Sequence, residues 1–395
     1  MGGTHRMKIN HNYQKRINKV REMMKSDKID VFLGTRGKSI TYLAGVYAPW
    51  RSIVIMDKNG FVSLNTCFLD SERVKDESWL DQVNGCVPLP GYDLWEVTVD
   101  WIKKNGYEKG TIGIELGQSA RILSGFLWAT ELQYLQEKLP KAKFVNAVSL
   151  VDRASYAKDS EEIKLLRQTA AMADAAQERV KESLYIGIRE AEIAGIAEME
   201  LRRLGSEFHW PVTGSTEIAS GYRTCYTLGG CTPASEKIVQ RSENLLVDVH
   251  PTYQNYCSDL SHNYFIGKPS REQEKLAEAY LQTCETLVAA LKAGSKIGEV
   301  AQKVNNVLDK NGYRPYTLPA YGHAIGVIGH EWYPTILDND EFRDIVLEEN
   351  VVEIAALVMN VPGVGGMRLE CPVRVTASGG EELCKTPLKM TVLDL

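Results

Sequence analysis

The segment Val247-Asp248-Val249-His250-Pro251-Thr252-Tyr253-Gln254-Asn255-Tyr256-Cys257-Ser258-Asp259 sets two aspartates eleven residues apart, directly after the apolar run Leu245-Leu246-Val247. The apolar run reads as a buried strand. A hairpin turning over Thr252 to Asn255 makes positions 248 and 259 equidistant from the turn. Their carboxylates then face each other on one side of the ladder, with Cβ atoms roughly 4.5 to 5.5 Å apart. Two anions that close repel unless one is protonated or a cation lies between them, and a metal ion is the natural partner. Either aspartate alone reads more simply as a satisfied structural carboxylate, so the pair needs support from elsewhere in the chain.

Two further segments offer it. In Ala320-Tyr321-Gly322-His323-Ala324-Ile325-Gly326-Val327-Ile328-Gly329-His330-Glu331, two of the chain's seven histidines lie among glycines and alanines, whose small side chains let backbone approach a site closely. In Pro362-Gly363-Val364-Gly365-Gly366-Met367-Arg368-Leu369-Glu370 a turn precedes a strand that continues through Cys371-Pro372-Val373-Arg374-Val375. Alternation puts Arg368 and Glu370 on one face of that strand. In isolation they read as a surface ion-pair ladder.

Around these segments the chain alternates helices and strands. Apolar periodicity predicts a helix over about Asn12 to Lys25, a strand at Val31 to Leu33, and a hairpin of Ile53 to Met56 with Phe61 to Leu64. A helix near Leu94 to Lys104, a strand at Thr111 to Glu115, a helix near Ser124 to Lys138 and a strand at Phe144-Val145 follow, the pattern of an α/β layer that ends near residue 155. A second unit opens at Asp159-Ser160-Glu161-Glu162, where a capping side chain precedes acidic residues in a first helical turn. From there helices near 160 to 183 and 190 to 204 precede strands near 216 to 266. Helices near 271 to 293 and 298 to 310 then precede strands near 318 to 380. This gives two αα-ββ halves whose strands could close into one curved sheet. Ile188-Arg189-Glu190 and Ile297-Gly298-Glu299 open the second helix of each pair alike, weak evidence for a repeat.

A chain of 395 residues suits two domains. Its net charge of −5, with both signs interspersed, favours neither nucleic acid nor an anionic membrane as a partner and leaves small or zwitterionic substrates open. The eight cysteines form no CxxC pair and read as reduced thiols of a cytoplasmic protein. No signal-peptide pattern opens the chain, and no apolar run reaches the roughly 18 residues of a membrane helix.

Together the three segments resemble the metal-binding set of the creatinase, prolidase and methionine aminopeptidase family, metallopeptidase family M24, with its pita-bread fold. Asp248, Asp259, His323, His330, Arg368 and Glu370 match the family's motifs in order and spacing, and Ala157-Lys158-Asp159-Ser160-Glu161-Glu162-Ile163 is similar to the entry of that domain. The resemblance implies a creatinase/prolidase-type N-terminal domain over 1–157 with α/β architecture, and an α+β pita-bread catalytic domain over 158–395. It implies one or two divalent ions (Mn, Zn, Co or Fe) held by Asp248, Asp259, His323 and Glu370. His330 would steady the substrate or the tetrahedral intermediate, and a homodimer is expected.

Two departures bear on function. The family's second ligand Glu falls on Ala356 when counted without gaps from Arg368, or on Ala355 when paired through Val351-Val352. Glu353 lies on the opposite strand face from Ala356. In Ala219-Ser220-Gly221-Tyr222-Arg223-Thr224-Cys225-Tyr226-Thr227-Leu228-Gly229 the family's substrate histidine is replaced by Leu228. Tyr222, Arg223, Arg368 and Tyr333 are then candidates for substrate contact.

Three functions are weighed. The first is a metal-dependent hydrolase of a peptide-like C–N bond of the Xaa-Pro type, impaired by the lost ligand and taking a short peptide or small molecule. The second is a creatinase-like hydrolase or lyase of a small zwitterion, favoured by the aromatic set Trp210, Tyr222, Tyr226, Trp332 and Tyr333, since aromatic rings hold quaternary cations. The third is a non-catalytic binding module.

Overall fold

The computed structural model describes residues 12–117, 125–207, 216–229, 232–327 and 329–395, with backbone alone at 227–229. Trp210 and the side chain of Leu228 lie outside the described residues, as does Ser124, the expected start of one helix. The chain divides into two compact units, Met1–Ser155 and Tyr156–Leu395.

The first unit is built on a six-stranded sheet. In chain order its elements are α1 (Tyr13–Ser26), β1 (Val31–Gly34), α2 (Gly37–Ala44), β2 (Ile53–Asp57), β3 (Val62–Cys67), α3 (Ser71–Glu77), β4 (Val83–Cys86), α4 (Leu94–Lys104), β5 (Thr111–Ile114), α5 (Ala129–Lys138), β6 (Lys143–Asn146) and α6 (Leu150–Ala154). The strand order is β4-β3-β2-β1-β5-β6. The expected hairpin forms as β2 against β3, antiparallel, with Ile55 opposite Ser63, while β1, β5 and β6 run parallel. Val31, Leu33, Ile53, Ile112 and Ile114 project into a core closed by Trp95, Val99 and Ile102 of α4 and Leu135 of α5. Periodicity missed α2, α3, β4 and α6. They are short, and α2 is buried along nearly its whole length, so it shows no polar face for a helical period to mark.

The second unit has the two expected halves. The first comprises α7 (Ser160–Ser183), α8 (Glu190–Arg203), β7 (Glu217–Ser220), β8 (Asn244–Val249), β9 (Thr252–Tyr253), β10 (Tyr256–Cys257) and β11 (Leu260–Ile266). The second comprises α9 (Arg271–Ala290), α10 (Ile297–Asn311), β12 (Gly322–Gly326), β13 (Gly329–Thr335), β14 (Val352–Val361), β15 (Gly365–Val375), β16 (Gly380–Glu382) and β17 (Thr391–Leu393). The Asp159 cap forms as expected: its carboxylate accepts from the amides of Glu161 and Glu162, and Glu162 returns a bond to the Asp159 amide.

The strands do not merge into one hydrogen-bonded sheet. They form a four-stranded ladder, β17-β11-β8-β7, a five-stranded one, β13-β12-β14-β15-β16, and the two-stranded pair β10-β9. Side chains join the first two: Asn244 donates to the Gly366 carbonyl at 2.6 Å, and Asn263 accepts from the Arg368 amide at 2.8 Å. The helix-opening similarity is out of phase by two residues. Arg189 is the N-cap of α8 with Glu192 at its third position, whereas Lys296 is the N-cap of α10 with Glu299 there.

One reading of the cysteines is corrected. Cys371 and Cys384 form a disulfide, with Cα atoms 6.3 Å apart. The β15–β16 register sets Val373 opposite Glu382, and continuing that register brings the two cysteines face to face. Cys67, Cys86, Cys225, Cys257 and Cys284 are free. Among the described residues no helix is long and apolar enough to cross a membrane.

Candidate metal centre

The aspartate hairpin forms with a different register from the expected one. Its two-residue turn is Gln254-Asn255, both with positive φ (49° and 66°), so Tyr253 pairs with Tyr256 and Thr252 with Cys257. A turn of this kind matches the twist of the flanking strands. The shift places Asp248 opposite Ser261 rather than Asp259. Asp259 is two residues from Ser261 and keeps the same face, so the carboxylates still converge: ligand atoms of Asp248, Asp259 and Glu370 lie within 4.8 Å of one another.

Glu370 and Arg368 arrive from β15. They share a face as expected, but they are buried rather than a surface ladder. The Arg368 guanidinium donates to Glu370 Oε1 at 2.9 Å, to Asp248 Oδ2 at 2.6 Å and to Glu217 Oε2 at 3.0 Å. Ser261 donates to Glu370 Oε2 at 2.9 Å. One side chain thereby orients three acids.

β12 and β13 supply the histidines. Gly322 has φ +155°, and a Cβ there would stand 2.4 Å from the Ile354 carbonyl oxygen, so the approach that seats His323 against β14 requires glycine. Nε2 of His323 lies 3.6 Å and Nε2 of His330 3.3 Å from Asp259 Oδ2. Trp332 stacks on His330 with centroids 4.9 Å apart. Of the expected substrate-contact residues, Tyr333 packs against Tyr156 and Phe342. Arg223 is held at 2.9 Å by Glu190 and at 2.7 Å by the Pro233 carbonyl. Tyr222 is exposed and meets Tyr226 edge-on.

The β14–β15 register separates the two alanines. Ala356 lies opposite Glu370 and Val358 opposite Arg368, while Ala355 lies opposite Cys371 on the other face. Glu353 shares that other face, fully buried, near the ion pair of Lys158 and Glu331 at 2.7 Å. Burial raises the Glu353 carboxyl well above its usual range, with Lys158 opposing and Glu331 adding to the shift.

Two participants were not singled out from the sequence. Glu217, from β7, joins Asp248 and His250 in a group whose ligand atoms lie within 4.8 Å. His250 places Nε2 at 3.2 Å from Asp248 Oδ2 and 3.4 Å from Asp259 Oδ1. His250 had a legible signal, lying two residues after Asp248 and so on the same side of extended chain. Glu217 had none.

The electrostatics follow from crowded acids in a dry site. Burial pushes Glu370 up to about 8, with Arg368 opposing it and Asp259 and Asp248 adding to it. Burial would also raise Asp259, but His250, His323 and His330 together hold it well below the carboxylate range. Burial would lower His250, yet Asp248 and Asp259 outweigh it and raise its pKa. Burial and the His323 ring drive His330 well below the ordinary imidazole value. Asp248 Oδ1 and both Asp259 oxygens are buried without a hydrogen-bond partner among the described residues. Carboxylate lone pairs left unused in a dry site, beside imidazole nitrogens, fit a divalent cation. The position of Ala356 offers it nothing.

Residues 16–154 match the creatinase/prolidase N-terminal domain. An Xaa-Pro dipeptidase of Pyrococcus horikoshii is 26% identical over 373 residues, 94% of this chain and 97% of that one. The fold superposes on a prolidase from Pyrococcus furiosus with TM-score 0.75 and 25% identity, covering 93% of this chain and 99% of the other. It superposes on an X-Pro aminopeptidase from Thermotoga maritima with TM-score 0.80 and 24% identity, covering 95% and 99%. With residues 164–377 matching the profile of the second unit's family, the chain belongs to metallopeptidase family M24, its catalytic-type domain preceded by a creatinase/prolidase N-terminal domain.

Proposed function

We propose that the chain is a metal-dependent hydrolase of Xaa-Pro-type peptide bonds, held below full activity by the alanine at 356. The observation that carries this reading is the buried convergence of Asp248, Asp259 and Glu370 beside His323 and His330. The dipeptidase and aminopeptidase names of similar proteins support the substrate class.

Asp248, Asp259, His323 and Glu370 are the residues to hold one or two divalent ions. A bound ion supplies Lewis acidity and activates water toward a carbonyl at neutral pH. Arg368 fixes the carboxylate geometry and offsets part of the negative charge. His330, kept neutral at physiological pH by burial and by His323, can donate a hydrogen bond to the oxygen on which charge develops at the scissile carbonyl. Trp332 holds that ring by stacking. Mn, Zn, Co and Fe are the ions to test. A cytoplasmic homodimer acting on short peptides, without nucleic-acid or membrane partners, completes the reading.

The register supports Ala356, not Ala355, as the vacant ligand position, because only its side chain shares the face of Glu370. The test is metal content and Xaa-Pro dipeptide hydrolysis, before and after Ala356→Glu. We expect retained metal with weak hydrolysis, rising in the variant. Absence of both metal and hydrolysis in both proteins sinks the proposal.

A further inference from the structure

We propose that His250 is itself a metal ligand in this chain, supplying an imidazole to the aspartate pair where the strand facing Glu370 offers only the methyl group of Ala356. The inference rests on the metallohydrolase reading and specifies its donor set.

Geometry carries it. Two ligands of one ion, each about 2.0 to 2.2 Å from the metal, stand roughly 3.0 to 3.5 Å apart. His250 Nε2 lies 3.2 Å from Asp248 Oδ2 and 3.4 Å from Asp259 Oδ1, the separations of shared ligands. The ring is buried at 7% residue exposure, and it meets the carboxylates whose remaining oxygens, Asp248 Oδ1 and Asp259 Oδ2, have no hydrogen-bond partner among the described residues. Glu217 closes the same group, its ligand atom within 4.8 Å of those of Asp248 and His250.

The exchange has a chemical consequence. Replacing a carboxylate donor by an imidazole removes one negative charge and softens the set. Imidazole suits zinc, iron and copper, whereas an all-oxygen environment suits manganese and magnesium. Beside the imidazole of His323, that of His250 should widen the site's preference for Zn²⁺ over Mn²⁺.

The experiment uses metal-stripped full-length protein titrated with Zn²⁺ and with Mn²⁺, in wild type, His250→Ala and His250→Gln, with X-ray absorption at the zinc edge to count bound imidazoles. The expected result is at least two imidazoles on zinc in wild type and one fewer in either variant. Zn²⁺ affinity should fall by more than about 100-fold, beyond the roughly 10- to 100-fold typical of outer partners, and Mn²⁺ affinity should fall less. A single imidazole in wild type overturns the proposal, and that measurement needs no variant to fold. Unchanged Zn²⁺ affinity and imidazole count in well-folded variants overturn it too, while leaving the metallohydrolase reading intact. Wild-type protein that binds neither ion removes that reading and this inference with it.

Discussion

Each unit buries a cluster of carboxylates, and the two are satisfied in opposite ways. In the first unit Glu115 is fully enclosed, and its oxygens accept from the amides of Thr35 and Arg36 at 2.7 Å, from Arg36 Nε at 2.7 Å and from Ser39 Oγ at 2.6 Å. Arg36 continues to Asp152 at 3.2 Å, and Lys38 reaches Asp152 at 3.0 Å. Two acids meet two bases. In the second unit Glu217, Asp248 and Glu370 share one guanidinium, that of Arg368, Asp259 faces His250, His323 and His330, and three carboxylate oxygens have no hydrogen-bond partner among the described residues. Buried charge that is fully matched locks a fold, whereas buried charge in excess calls for a cation from outside.

The contrast is broken or sharpened by substitution. Asp259→Asn should abolish divalent-ion binding and lower kcat/KM on Xaa-Pro dipeptides by about 1,000-fold or more, or ~4 kcal/mol. His250, His323 and His330 favour the Asp259 anion in the metal-free fold, so the variant should also cost the metal-free protein some stability; calorimetry with and without metal checks both parts. Glu115→Ala should spare the metal. Stripping one partner from a matched buried network costs about 3 to 5 kcal/mol, read as a lower denaturant midpoint of the first unit, while metal affinity is unchanged. A loss of metal binding in Glu115→Ala would collapse the distinction between the two clusters.

Acid provides a third test. His262 is buried on β11, its Nε2 is 2.8 Å from Thr391 Oγ1, and burial lowers its pKa to about 4. The unfolded imidazole titrates near 6.5, so the native state resists a proton that the unfolded chain accepts. Stability is therefore fully present above about pH 6.5 and is lost as pH falls toward 4, by at most ~3 kcal/mol from this residue. His262→Phe should flatten that part of the denaturation profile. The smallest effect is expected from Ala356→Glu in metal-free protein, where one more acid in an acidic pocket costs about 1 to 3 kcal/mol. Saturating Zn²⁺ should restore the loss. A variant that gains no more stability from Zn²⁺ than the unmodified protein does would show that position 356 does not face the cation site.

Local pattern made much of this legible. Period-two alternation put Arg368 and Glu370 on one face, and the Asp159 cap with its acidic first turn marked the start of α7 within a residue. The motifs holding Asp248, Asp259, His323, His330 and Glu370 resemble those of the M24 family, and that resemblance implied a metal centre before any fold was visible. The hairpin register was not legible, because the turn uses Gln254, a residue seldom found with positive φ. The disulfide was not legible either, since Cys371 and Cys384 become neighbours only once β15 and β16 are in register.

What the sequence by itself determined is what chemistry each side chain can offer and which face of its own strand it takes, because both follow from side-chain type and a period of two. Only the tertiary structure decided what lies opposite each of them: Ala356 against Glu370, Glu217 at the Arg368 guanidinium, His250 between two aspartates. Those pairings depend on turn geometry and on contacts between distant ladders, which no local pattern encodes.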